Sequence, residues 1–374
     1  MDELYLFRRE FPVIARWYYF NHAAVSPLPT RARGRMEKHL EEANLDGAVN
    51  WRKWEEMVEK TRALAAKLLN ASSSEIAFVK NTSEGLNFVA QGIEWKEGDN
   101  IIVPKIEFPA NRYPWMNLED KGVEVRFLPG ERITVDDIAR AIDPRTRLVA
   151  ISFVQYQNGF RAPLAEISKL CREKGILLAV DAIQGLGALK LDLSETPIDF
   201  LSADAHKWLL GPEGIGIFYC AKRALDKIKV RLVGWMSVED YFNFSSFEMK
   251  LHNNARRFEC GTPNRVGIAG LSASLEILLE AGIERIEKKI IRLTDWLVAE
   301  LMERGYQVVS PRGEGEKSGI VSFKSPKHRS EEIVSLLFEH KVVVSGRGGV
   351  VRVSPHFYNT ENDLSELLNN LPRL

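Results

Sequence analysis

Lys207 lies in DFLSADAHKWLLGPEGIGIFY (199–219), in a short loop between two apolar runs, beside His206 and ahead of Gly211 and Pro212. Trp208, Leu209 and Leu210 can desolvate it, and desolvation favours the neutral amine, the form that attacks an aldehyde. Most lysines simply face solvent, so Lys207 alone decides nothing. Asp181 closes the apolar run of LLAVDAIQGL (177–186). A carboxylate there is costly unless a positive group meets it. A protonated pyridine nitrogen is such a group, and the pairing makes the ring a better electron sink. Gln184, one turn on, could reach a phenolic oxygen on that ring. An Asp at a strand end is also a common cap or turn former, and both readings stay open. A third segment, FVKNTSEGLN (78–87), ends a strand at Lys80 and Asn81, and Thr82 and Ser83 open a helix. A helix N-terminus offers free N–H groups and a positive dipole end to a phosphate, although an ordinary N-cap uses the same residues.

The elements around these residues follow from hydrophobic pattern. Short apolar runs at 75–79, 100–103, 123–127, 147–154, 176–180, 199–202 and 214–219 read as buried strands. Helical periods fall between several of them, as at 134–141 and 163–173. Such alternation implies a mostly parallel sheet covered on both faces, with chemistry where strands run out into loops. From about residue 267 the pattern changes. Helical stretches at 267–281 and 283–304 lead to short strands at 306–310, 319–323, 342–345 and 350–353, with helical periods at 330–339 and 361–371. The expectation is an α/β chain with a large unit, 25–264, and a smaller α+β unit made of 1–24 and 265–374. Residues 311–317 read as a solvated turn.

Composition excludes several classes. A chain of 374 residues exceeds one simple core and suggests two units. With 45% apolar and 27% charged residues it is an ordinary folded composition. Lys+Arg and Asp+Glu are equal at 51 each, so no bulk field attracts nucleic acid or an acidic membrane. The start, Met1-Asp2-Glu3-Leu4, is acidic and leads into no apolar signal core. No stretch approaches the ~20 apolar residues of a membrane span. Cys171, Cys220 and Cys260 offer neither a disulfide framework nor a CxxC pair, and the expected setting is a reducing cytoplasm. The histidines lack ligand spacing, so no metal site is expected.

Taken together, the motifs resemble the aminotransferase class V family of fold-type I enzymes that use pyridoxal 5′-phosphate (PLP), with cysteine desulfurase-like, selenocysteine lyase-like and isopenicillin N epimerase-like features. The resemblance runs from YFNHAAVSP (19–27) through NTSEGLN, SFVQYQNG (152–159), VDAIQ and HKWLLGPEGIG to RFECGTPN (257–264) and VRVSPHFYNT (351–360). It implies that Lys207 carries PLP as a Schiff base and moves the substrate's proton, with Asp181 on the pyridinium and Gln184 on the phenolic oxygen. Asn158 would make a ring-side polar contact. Thr82, Ser83 and His206 would hold the phosphate, joined by Thr262 from a neighbouring subunit, which implies a homodimer with shared sites. Arg352 would grip the carboxylate of a small amino acid, with Arg347 as a second contact and Asn21 and His22 at the substrate side.

Three departures bear on the reaction. Phe108, in IEFPANRYPW (106–115), stands where many members stack a histidine on the ring; Phe can stack but cannot move a proton. Asp204 replaces a serine three residues before the lysine, so Asp204 is expected to turn away and Ser202 to substitute. The loop VVVSGRGGVV (342–351) lacks the cysteine that desulfurases place there, and Cys260 is the one candidate left, a small packed residue being the plainer account of it. The expected activity is release of sulfur from cysteine, with an aminotransferase, epimerase, another lyase or a silent PLP-binding protein as alternatives. A sulfur acceptor is a possible partner.

Overall fold

The computed structural model describes residues 3–374; Met1 and Asp2, the first residues of the acidic start, lie outside them. The helices are α1 (Thr30–Asp46), α2 (Trp51–Leu69), α3 (Thr82–Gly92), α4 (Tyr113–Met116), α5 (Val135–Ala141), α6 (Leu164–Lys174), α7 (Arg265–Ala281), α8 (Ile283–Glu303), α9 (Ser330–Glu339) and α10 (Glu361–Asn369). The strands are β1 (Tyr18–Tyr19), β2 (Ile76–Val79), β3 (Asn100–Pro104), β4 (Glu124–Leu128), β5 (Thr146–Ser152), β6 (Leu177–Asp181), β7 (Phe200–Asp204), β8 (Gly216–Cys220), β9 (Gln307–Val308), β10 (Val321–Lys324), β11 (Val342–Val343), β12 (Ser345–Arg347) and β13 (Val350–Val353).

The apolar runs become a seven-stranded sheet in the order β2-β8-β7-β6-β5-β3-β4. Strands β3 to β7 are parallel, and β8 runs antiparallel between β7 and β2. Strands β2, β3, β7 and β8 are buried at every residue, as continuous apolar runs in a sheet covered on both faces require. The register sets Ser152 against Asp181 and Asp181 against Ser202. The loops after β5, β6 and β7 therefore leave the sheet side by side, where ligands of open α/β sheets bind. Helix α3 lies close over this edge. A Cβ on Gly85 would stand 2.3 Å from Ser202 Oγ, so only glycine lets the helix approach β7.

A second, antiparallel sheet has the order β12-β13-β10-β9, and β1 pairs in parallel with β11. This joins the N-terminal segment to the C-terminal unit, and Phe20 sits in that unit's apolar cluster with Leu297, Phe323 and Val353. Past the expected boundary at residue 265, α7 still packs with the larger unit. Ile268, Leu271 and Leu275 of α7 bury into the larger cluster, and α7 packs on α1 and α2. The packing changes within α8, where Ile286 and Ile290 still join the larger cluster and Leu293, Leu297 and Leu301 join the smaller one. Between β12 and β13 the chain reverses on Gly348 (φ 56°) and Gly349 (φ 78°), the two left-handed residues of a type I′ hairpin. Among the described residues no single helix is long and apolar enough to cross a membrane.

Candidate active site

A cavity of about 300 Å³ opens where the loops after β5, β6 and β7 meet the N-terminus of α3 and the β12–β13 hairpin. Thr82, Ser83, Phe108, Asp181, Gln184, His206, Lys207, Arg347 and Arg352 all line it, residues scattered over 270 positions of chain. A larger groove of about 770 Å³, between Ile133 and Glu316, holds none of the expected site residues.

Burial sets the charges inside. It lowers the Lys207 ammonium from the ordinary lysine value, only partly offset by Asp181, and the Arg352 and Arg347 guanidiniums push the same way. Asp181, 1% exposed, is raised chiefly by burial, and it accepts one hydrogen bond, from the Ile183 N–H at 3.0 Å. Each is thus held towards its neutral form until an opposite charge arrives. Arg352, 1% exposed, donates from Nη1 to the Tyr156 carbonyl at 2.7 Å and from Nε to Ser345 Oγ at 3.2 Å. Its Nη2 is buried without a partner, an expensive state unless an anion completes it. Burial, followed by Arg347, lowers its pKa to about 9.

The rest of the wall is fixed by side chains from remote segments. Thr82 Oγ1 accepts the Asp204 N–H at 3.0 Å, and the Asn81 side chain caps α3 at the Glu84 N–H. Gln184 donates to the Ala23 carbonyl at 2.9 Å and accepts the Trp208 indole N–H at 3.0 Å, which leaves one amide N–H for a ligand. Phe108 is 43% exposed, with its ring edge-on to Tyr156 at 5.2 Å and Lys207 Nζ 5.8 Å from its centroid.

Several expected residues are not brought there. Asn158 donates to the Glu131 carbonyl at 2.9 Å and accepts the Phe160 N–H at 3.0 Å, so its amide shapes the loop and does not face the cavity. Ser202 lies beneath α3, bonded to the Thr82 carbonyl at 3.1 Å, and it is Asp204 that lines the cavity, 3.3 Å from His206 Nδ1. His22 is fully buried between the Ser354 carbonyl and the Tyr358 hydroxyl, both at 2.8 Å. Asn21 is not among the residues that line the cavity, and its Oδ1 is buried without a partner. Thr262 and Cys260 line a different cavity, with Lys80, Glu84 and Gly214. Glu259 anchors their turn, accepting from Arg62 at 2.6 and 3.0 Å and from the Phe78 N–H at 2.8 Å. Tyr156 and the 23–25 segment, inside the motifs above but without an expected site role, are wall residues, as is Asp204, which was expected to turn away.

Residues 18–367 match the aminotransferase class-V family. The chain is 32% identical to a probable cysteine desulfurase of Pyrococcus abyssi, over 98% of this chain and 96% of that one. It resembles the apo structure of a cysteine desulfurase from Thermococcus onnurineus NA1 with a TM-score of 0.88 and 28% identity, covering 97% of this chain and 96% of that one. The cystine C–S lyase C-DES, in complex with its reaction product cysteine persulfide, matches at TM-score 0.89 and 26% identity, over 96% and 98% of the two chains. A C-DES mutant with glycine covalently linked to its PLP cofactor matches at 0.91 and 25%, over 97% and 98%.

Proposed function

This chain belongs to the aminotransferase class-V family of PLP-dependent enzymes, and from that premise we propose that it releases sulfur from cysteine to give alanine, with Lys207 holding the cofactor covalently. The observation that carries the reading is the pairing in one cavity of a desolvated amine, Lys207, with a desolvated carboxylate, Asp181.

The cavity fits the cofactor. Asp181 is a buried carboxylate in need of a cation, the start of α3 offers hydroxyls and N–H groups to a phosphate, and Arg352, with Nη2 an orphan donor, lines the same cavity. When bound, PLP supplies an electrophilic carbon and an electron sink for charge developing at the substrate's Cα. Lys207 would hold the cofactor covalently, and its amine is placed to move the proton at the substrate's Cα. Asp181 pairs with the protonated ring nitrogen. The remaining N–H of Gln184 serves the phenolic oxygen, and Phe108 covers the ring face. Thr82, Ser83 and His206 hold the phosphate. Arg352 orients the amino acid by its carboxylate, and Arg347 adds a second cation at the cavity mouth.

The proposal includes a homodimer in which Thr262 of each subunit reaches the other's phosphate. Two observations support it: the cavity holding Thr262 is separate from that of Lys207, and Leu232, Phe242, Phe244 and Phe247 are exposed nearby in sequence. Light scattering should give twice the 42.4 kDa chain mass; a monomer that keeps full activity would remove Thr262 from the site. The reading also keeps a cofactor-binding unit, 25–264, and a smaller unit, 1–24 with 265–374, whose first helix, α7, packs on α1 and α2 of the larger one. A cytoplasmic setting is supported by three unpaired cysteines, and an external sulfur acceptor by the fact that no cysteine lines the Lys207 cavity.

That same fact favours a second reading, a C–S lyase in which sulfur leaves on a small product. Product analysis after adding L-cysteine and a reductant to PLP-loaded protein separates the two. Alanine and sulfide in equal amounts support desulfuration. Pyruvate, ammonia and sulfide mark the lyase, and a keto acid with pyridoxamine phosphate marks an aminotransferase; either result would replace the first reading.

A further inference from the structure

Glu107 is a buried carboxylate that none of the roles above uses. It is 1% exposed and follows β3 directly before Phe108. Most of the hydrogen bonds to its carboxylate come from one neighbouring segment, with Asn111 of its own loop as a further donor. The Ser152 N–H donates to Oε1 at 2.7 Å, the Ser152 hydroxyl donates to Oε2, and Gln155 Nε2 donates to Oε1 at 2.6 Å. Among the described residues no Lys, Arg or His pairs with it. A carboxylate buried among neutral donors is costly, and burial lifts it above the usual carboxylate range. Such a group persists where its bonds fix something that a neutral side chain would leave loose.

What it fixes can be followed outward in two directions. Its own chain neighbour, Phe108, forms one wall of the cavity. Its bonding partners begin the segment 152–156, in which Tyr156 meets the Phe108 ring edge-on and gives its carbonyl to Arg352 Nη1 at 2.7 Å. Ser152 also pairs with Asp181 across the sheet. One carboxylate therefore ties the loop that carries the stacking ring to the loop that aims the guanidinium.

We propose that Glu107 is a positioning residue: by clamping Ser152 and Gln155 to the loop after β3, it sets the Phe108 ring over the cofactor and, through the Tyr156 carbonyl, the angle of Arg352. The proposal rests on reading Arg352 as the grip on the substrate carboxylate. Arg352→Ala in an otherwise unchanged protein tests that reading separately, by its effect on KM.

The test is Glu107→Gln in the PLP-loaded protein. The amide keeps the length and one acceptor, and it turns an N–H₂ group towards donors that need acceptors. The expected result is a folded protein that binds PLP with a shifted visible band and has a KM for the amino acid at least tenfold higher, with kcat changed less. Adding Gln155→Glu exchanges donor and acceptor across the clamp and should restore most of the KM, a recovery that loss of general stability would not show. Should Glu107→Gln fail to fold, Gln155→Met removes a single donor and should raise KM by a smaller factor. A folded Glu107→Gln protein with unchanged KM and unchanged band would overturn the proposal. So would a fall in kcat alone that Gln155→Glu does not reverse, because that would place the effect on proton transfer.

Discussion

At the scale of single residues, the site turns on groups held away from their ordinary charge. Arg352 is buried with one N–H₂ group unpartnered, so a substrate carboxylate gains a charge-assisted pair. Such a bond contributes about 1.5–3 kcal/mol. Arg352→Ala should raise KM by about 10- to 100-fold and leave the cofactor band in place; loss of the cofactor instead would make Arg352 structural. Lys207 is lowered by burial below the ordinary 10.5. The neutral amine then gains population at lower pH than in free lysine, so the rate of PLP capture by the apoprotein should rise with pH and level off well below pH 10.5. A rise that continues to pH 10.5 would show an ordinary, solvated lysine. Lys207 and Asp181 stood out because each breaks a local rule, a lysine among apolar residues and an acid at the end of an apolar strand, whereas Arg352 was reached through the family resemblance. His22, Asn158 and Ser202 are held away from the cavity by partners, Tyr358, Glu131 and Thr82, that lie 336, 27 and 120 positions away. Local sequence carries no trace of such bonds.

At the scale of elements, most strands of the large sheet declared themselves as apolar runs, and each of its seven falls within two residues of its expected place. Helix α7 did not declare its unit. It is buried on nearly every side, so its pattern holds no polar face to show which core it serves. The β12–β13 hairpin, between the strands expected at 342–345 and 350–353, carries both Arg347 and Arg352. Its Gly349 needs a left-handed conformation, with open space where a Cβ would stand. Gly349→Ala should therefore cost about 1–2 kcal/mol of local backbone strain without a steric clash. The expected signature is a raised KM with only a small drop in thermal midpoint, and an unchanged KM would show that the hairpin does not set the arginines.

At the scale of the whole molecule, a buried cluster joins the N-terminal segment, the Lys207 loop and the C-terminal unit. His356 Nε2 meets the Trp208 carbonyl at 3.1 Å, and its ring lies 5.2 Å from His22. Burial lowers His356 to about 4 from the ordinary 6.5. The unfolded chain therefore binds the proton more readily between these values, and this contribution to stability is present above pH 6.5 and lost as pH falls towards 4. The thermal midpoint should fall across that window, and less steeply in His356→Gln; equal slopes would mean that His356 does not couple the units. The central claim is that one lysine in this cavity holds the cofactor, and borohydride reduction of the PLP-loaded protein followed by peptide mapping tests it most directly. The account predicts a pyridoxyl group on Lys207 alone, with neither label nor visible band in Lys207→Ala; a label on another lysine, or a band that survives the substitution, would contradict it.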